Sequence, residues 1–226
     1  MSDDQCPCCG DADRTTVETD LDVGTESSTG SEQTVDRWLG NPSPLDSELP
    51  TDVQSALARF LGVESVDTLG AWARAVRNRL GGNSIAVEEL CHAEERTPHW
   101  GIFDGERYYF ACFYDAVILA AIADRPVDVR TESPDGAPIE AHAVGSDELS
   151  VAPGDAVFSF GIDDRVDPPL EDGPTLEDGY AAICPYVRAF PSREAYLRWA
   201  EAVPAATVAM PLSGATELAA VLVGER

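Results

Sequence analysis

Lysine is missing from this chain: all 15 basic residues are arginines, set against 41 aspartates and glutamates, for a formal charge of −26 at pH 7. Without a positive surface the chain cannot hold a phosphate backbone, which excludes the ordinary nucleic-acid binder. Carboxylates spread along the whole sequence, with no lysine, fit a protein kept soluble at very high salt, where screening removes their mutual repulsion. We therefore expect a halophilic protein whose melting temperature rises from low salt into the molar KCl range. A melting temperature that is flat or falls with KCl would remove the halophile reading and leave any argument about a site untouched. Also missing are an apolar run of about 20 residues and an apolar segment behind Met1, so no membrane span and no secretory signal are expected. In the cytoplasmic, reducing setting this implies, the six cysteines point to thiol chemistry or metal binding rather than to a disulfide framework. The glycines follow no phosphate-loop pattern, and the acidic loops lack calcium-loop spacing.

What is present is enough apolar material, 44% of residues, for one full domain and a small second one. Residues 1–33 are acidic and rich in Gly, Ser and Thr, with little to bury, and read as a disordered tail. Residues 34–98 read as a helical N-terminal domain. Apolar residues recur at helical spacing in "TVDRWLG", "PTDVQSALARFLG" and "SVDTLGAWARAVRNRLGG", with cap residues at the ends, and "NSIAVEELCHA" reads as a short third helix. The hairpin "HWGIFDGERYYFA", with its Asp-Gly turn, follows them. That order is winged-helix-like, although the charge favours a helical domain that packs on the rest of the chain over one that touches DNA. Residues 99–226 mix periods. "DAVILAAIA" is an apolar helix; "VDVRTE", "APIEAHAVG", "AVFSFGI" and "ATVAMPL" alternate like strands, and a further strand is expected around Cys184. "SREAYLRWAEAV" and "SGATELAAVLVG" are amphipathic helices. The fold class is α+β, a mixed or antiparallel sheet with packed helices.

Two cysteines in this second region carry the chemistry. In "YYFACFYDAVILAAIAD" a helix beginning near Cys112 would set the thiol at a positive helix N-terminus and bring Asp115, three residues on, beside it. A proton can pass between such groups. Taken alone, Cys112 also reads as a small buried hydrophobe and Asp115 as a first-turn residue stabilised by the helix dipole. In "GYAAICPYVRAF", Cys184 precedes a proline, which suits a strand edge. Two thiols with an acid beside one of them select soft, thiophilic metals over hard ones.

"YYFACFYDAVILAAIADRPVDV", "PDGAP", "LSVAPGDAVFS" and "AAICPYVRAFPSREAYLRW", taken together, resemble the alkylmercury lyase (organomercurial lyase) family over about residues 99–220. The resemblance implies a small helical domain ahead of a catalytic one, and an active site of Cys112, Asp115 and Cys184, with "FPSREAYLRW" as the downstream landmark. It implies protonolysis of a carbon–mercury bond, with Cys112 and Cys184 holding mercury, Asp115 carrying protons and serving as a further ligand to the metal, and no cofactor. Hg(II) would leave to low-molecular-weight thiols or to a mercuric reductase. The sequence departs from the family at Pro185 and Glu132, where further cysteines are expected, and residues 1–98 match poorly. A thiol-based mercury or soft-metal binding protein or sensor without turnover is the rival reading.

Other signals are weaker. "CPCCG" (Cys6, Cys8, Cys9) is half of a zinc site without a partner pair at the right spacing, since Cys91 and His92 are distant in the chain; a flexible relay for Hg(II) or no specific role are the alternatives. His92, His99 and His142 accompany no nucleophile signature and read as surface or packing residues.

Overall fold

A computed structural model of the chain describes residues 36–40, 43–79, 85–166 and 173–224. The expected acidic tail and its "CPCCG" cluster lie outside the described residues. Among the described residues, two antiparallel sheets and six α-helices make an α+β fold. The helices are α1 (Thr51–Leu61), α2 (Leu69–Arg79), α3 (Tyr114–Ala123), α4 (Leu176–Ile183), α5 (Arg193–Ala200) and α6 (Ala215–Val223). The larger sheet has five strands in the order β2-β1-β3-β4-β5: β1 is Trp100–Phe103, β2 Glu106–Tyr109, β3 Pro126–Glu132, β4 Pro138–Val144 and β5 Glu148–Ala152. The smaller sheet has the order β7-β6-β8, with β6 Val157–Asp163, β7 Ala189–Phe190 and β8 Ala205–Pro211.

α3 is the centre of the molecule. Its sequence is apolar on every side, and eight of its ten residues are buried, as a helix must be when it is covered on all faces. It packs on β3 and β4 on one side and on α6 on the other. Gly101 of β1 permits this, because a Cβ there would lie 3.2 Å from that of Ala116 and 3.1 Å from a Val127 methyl. α1 lies on β6 and β8, and α2 lies on α6, so their apolar faces join the same core as α3. The expected hairpin forms, with Asp104 and Gly105 both at positive φ as a tight two-residue turn requires. β1 then pairs onward with β3.

The structure corrects four expectations. "TVDRWLG" is not helical where described: Trp38 bridges Ala209 in parallel, with Leu39 N–H donating to Ala209 O at 2.8 Å and Ala209 N–H to Arg37 O at 2.9 Å. The edge of β8 takes the backbone groups a helix would have used. The third helix shrinks to a single 3₁₀ turn, Val87–Glu89, because the next residues pair with the hairpin: Ala93 N–H donates to Tyr109 O and Ala111 N–H to Cys91 O, each at 2.9 Å. α3 starts at Tyr114 rather than Cys112. Cys184 is not in a strand; it ends α4 and opens a 3₁₀ turn, Cys184–Tyr186. Thr175 and Asp178 form a capping box that starts α4, and Pro185, having no N–H to lose, suits the first turn of a helix. β5 was not among the expected strands, although Leu149 and Val151 alternate, half-buried, with the exposed Glu148, Ser150 and Ala152.

Candidate active site

Cys112 sits in the turn just ahead of α3, and Asp115 is in that helix's first turn. The Cys112 thiol donates to Asp115 Oδ2 at 3.2 Å, so the spacing of three residues does bring the two side chains together. Asp115 Oδ1 accepts the backbone N–H of Cys91 at 3.3 Å. Both side chains are almost fully buried, with Cys112 2% and Asp115 5% exposed.

Cys184 reaches the same point from the other side. Its 3₁₀ turn is pinned to β6: Ser159 Oγ donates to Tyr186 O at 2.7 Å, and Arg188 N–H donates to Ser159 Oγ at 3.2 Å. Gly161 leaves room for this approach, since a Cβ there would come within 3.0 Å of Tyr186 Cβ and 2.7 Å of a Thr207 methyl. The result is that one ligand atom each from Cys112, Asp115 and Cys184 lies within 4.8 Å of the others. Such a set of two sulfurs and a carboxylate oxygen suits a soft metal ion.

The thiols interact directly. The neighbouring thiols of Cys112 and Cys91, with burial, push the Cys184 thiol far above the ordinary range. Cys184 acts to lower the Cys112 thiol, but burial and the Asp115 charge outweigh it and leave Cys112 raised. Burial raises the Asp115 carboxyl, against the Cys112 and Cys91 hydrogen bonds that favour its charge. The Cys112 and Cys184 thiols therefore keep their protons at rest, and Asp115 stands beside Cys112 to take one when a metal displaces it.

These groups open on a cavity of about 240 Å³ whose walls are chiefly apolar, with Trp72 from α2, Ile85, Phe158 and Phe160 of β6, and Tyr180 of α4. Cys112, Asp115 and Cys184 line it. The Tyr180 hydroxyl donates to Glu89 O, and burial raises it well above the ordinary phenol range. The cavity wall was not legible as such in the sequence, because its residues come from separate segments and look like ordinary core.

Cys91 is the residue that sequence reasoning set aside and the structure brings in. The short bridge between His92 and Phe110 lays Cys91 beside Ala111, next to Cys112. Only the pairing across the hairpin creates that proximity. The three histidines stand elsewhere. His92 bonds Val87 O at 2.8 Å and His142 bonds Asp128 at 2.7 Å, both at the surface. Pro185 is exposed in the Cys184 turn and Glu132 is exposed at the end of β3, so neither departure from the family pattern intrudes on the three ligand atoms. The landmark "FPSREAYLRW" builds a separate small cluster in which Phe190 lies against Tyr196 and Trp199.

His99 braces the site from behind. It is 4% exposed; its Nε2 accepts from Arg188 at 2.9 Å and its Nδ1 bonds Thr131 Oγ1 at 2.6 Å. Arginine can only donate, so the ring is neutral with its proton on Nδ1. Arg188 in turn donates to Pro185 O at 2.9 Å, tying the Cys184 turn to β3. Burial and the Arg188 charge lower His99 to about 4 from 6.5. The unfolded chain then binds a proton between pH 6.5 and 4 that the folded chain refuses, so stability is lost as pH falls through that window. The stability margin of wild type over His99→Gln, read from melting curves, should narrow across it; a margin independent of pH would show that His99 titrates alike in both states.

The sequence model of the alkylmercury lyase family matches residues 93–224, more than half of the chain. The chain belongs to the alkylmercury lyase family. Among solved structures, one similar to it is the mercury-bound form of MerB2, at 16% identity, covering 77% of this chain and 91% of that one with a TM-score of 0.44. A comparison with curated protein sequences gave no match. Among the described residues, no helix is long and apolar enough to cross a membrane.

Proposed function

We propose that the protein is an organomercurial lyase that converts R–Hg(II) compounds to R–H and Hg(II) by protonolysis, with Cys112, Asp115 and Cys184 as its reacting groups. Membership of the alkylmercury lyase family supports organomercurial lyase activity in general. The observation that carries the specific reading is the convergence of two sulfurs and a carboxylate within 4.8 Å at the wall of an apolar cavity. An apolar cavity of about 150 Å³ can admit benzene, so this one has room for a phenyl-sized group beside the metal.

A carbon–mercury bond resists water, but sulfur donation to mercury makes the attached carbon more basic. The substrate arrives as R–Hg–SR′, the adduct with a small thiol. Cys112 displaces that thiol, and R′SH leaves with the proton that Cys112 gives up, relayed by Asp115. Cys184 adds as a second sulfur ligand and passes its proton to Asp115. Asp115 delivers that proton to carbon as the carbon–mercury bond breaks, which leaves Hg(II) on two thiolates with the carboxylate alongside. No redox change occurs and no cofactor is required. Low-molecular-weight thiols or a mercuric reductase would accept the ion afterwards. In this reading α1 and α2 serve the reaction by walling the cavity through Phe60 and Trp72, in place of a winged-helix role on DNA.

The test is to incubate the protein with phenylmercury and excess thiol and measure benzene in the headspace. Benzene released over many turnovers supports the lyase. A stoichiometric mercury adduct with no benzene would replace it by the binding or sensor reading.

A further inference from the structure

Cys91 is a thiol at the site for which the protonolysis above has no use. It is held there by contacts of its own: its N–H donates to Asp115 Oδ1 at 3.3 Å and its carbonyl accepts from Ala111 at 2.9 Å, which leaves its thiol neighbouring that of Cys184. It differs from the other two in placement. Cys112 and Cys184 line the cavity and Cys91 does not; Cys112 is 2% exposed, whereas Cys91 is only half-buried. Cys184 is thus flanked by one sulfur inside the cavity and one outside it.

That arrangement bears on how mercury leaves. Hg(II) exchanges thiolates by admitting an incoming sulfur before an outgoing one departs, and an ion held by Cys112 at this depth presents little surface to an external thiol. We infer that Cys91 is the exit ligand of the site, taking Hg(II) from Cys112 so that the ion rests on Cys91 and Cys184 within reach of thiols in solution. This rests on the lyase reading only for the origin of the Hg(II). In the step, a bond forms between mercury and Cys91 sulfur, and the bond to Cys112 sulfur breaks. The proton lost by Cys91 ends on Cys112. Asp115, which touches the backbone of the first residue and the thiol of the second, lies between them to carry it. Mercury remains Hg(II), and the site returns with Cys112 protonated and ready for another substrate.

The test supplies Hg(II) directly, so that hydrocarbon chemistry plays no part. In a full-length parent carrying Cys6→Ser, Cys8→Ser and Cys9→Ser, which removes the tail thiols, one equivalent of HgCl₂ is bound and then challenged with glutathione. Loss of mercury is followed by the sulfur-to-mercury absorbance in stopped flow. Cys91→Ser and Cys91→Ala should both slow transfer by roughly 10-fold or more, the scale on which supporting groups of a metal site act. A second measurement needs no change at Cys91: in the parent, one equivalent of Hg(II) should protect Cys91 and Cys184 from alkylation, as read by mass spectrometry. Transfer at the parent's rate in both variants, a freely alkylated Cys91 in the loaded parent, or a parent that binds no Hg(II) overturns the inference. Absence of benzene from phenylmercury, with the Cys91 effects intact, overturns the lyase reading and leaves the exit ligand standing.

Discussion

Asp115→Asn is expected to give a protein that captures organomercurial in a one-to-one adduct yet turns it over roughly 10²- to 10⁴-fold more slowly, the usual worth of a positioned acid or base. The substitution is nearly isosteric, and the amide can keep the contact that holds the carboxyl in place, since its oxygen still accepts the Cys91 N–H now found at 3.3 Å. Both thiols stay where they are. What disappears is the oxygen that accepts the Cys112 proton at 3.2 Å and that could return a proton to carbon. An amide does neither. Burial with no ion partner makes the site costly for a stray charge, so water is a poor substitute for the lost relay. Single-turnover hydrocarbon release, with mass spectrometry of the bound adduct, checks both halves of the expectation. Release at the wild-type rate would reduce Asp115 to a residue that merely starts a helix.

Cys112→Ser should abolish cleavage, with no hydrocarbon above the enzyme-free background. A hydroxyl is a hard, weakly donating ligand that stays protonated at neutral pH, and it cannot raise the basicity of the mercury-bound carbon. Neither neighbouring thiol can stand in. Cys184 approaches from the opposite wall on its own 3₁₀ turn, and Cys91 does not line the cavity. Mercury itself should still bind, because the neighbouring thiols of Cys184 and Cys91 remain. The variant therefore separates capture from chemistry: inductively coupled plasma analysis should find mercury on the protein while gas chromatography finds no hydrocarbon. Cleavage that survives would place the attacking sulfur elsewhere.

The sequence by itself determined the local elements whose signals are written within a few residues. The α3 pattern from Tyr114 to Ala123, the Asp104-Gly105 turn, the Ser192 cap of α5 and the alternation of β3 and β4 all reflect short-range sterics and apolar periodicity. The closeness of Cys112 and Asp115 is of the same kind, since residues three apart at a helix start meet whatever surrounds them. Even there, the helix began two residues late, at Tyr114, with Cys112 in the bend that leads into it. Cys184 was legible as a partner by resemblance, but its setting was misread. A proline after a cysteine looks like a strand edge until the Thr175–Asp178 capping box upstream is seen to start a helix that runs into it.

Only the tertiary structure decided what lies opposite what. The meeting of Cys184 with Cys112 depends on Gly161 giving way to the Cys184 turn and on Ser159 fastening that turn to β6. The recruitment of Cys91 depends on a single bridge between His92 and Phe110 that converted an expected helix into an edge beside the hairpin. The cavity depends on aromatic residues from α1, α2 and β6 that are indistinguishable in sequence from the rest of the core. The physical reason is common to all three. Periodicity reports which face of an element is apolar, because that is a property of neighbours along the chain. Which apolar face meets which, and where two of them leave a gap with a thiol at its edge, is fixed by packing between segments far apart in the chain, and no local pattern records it.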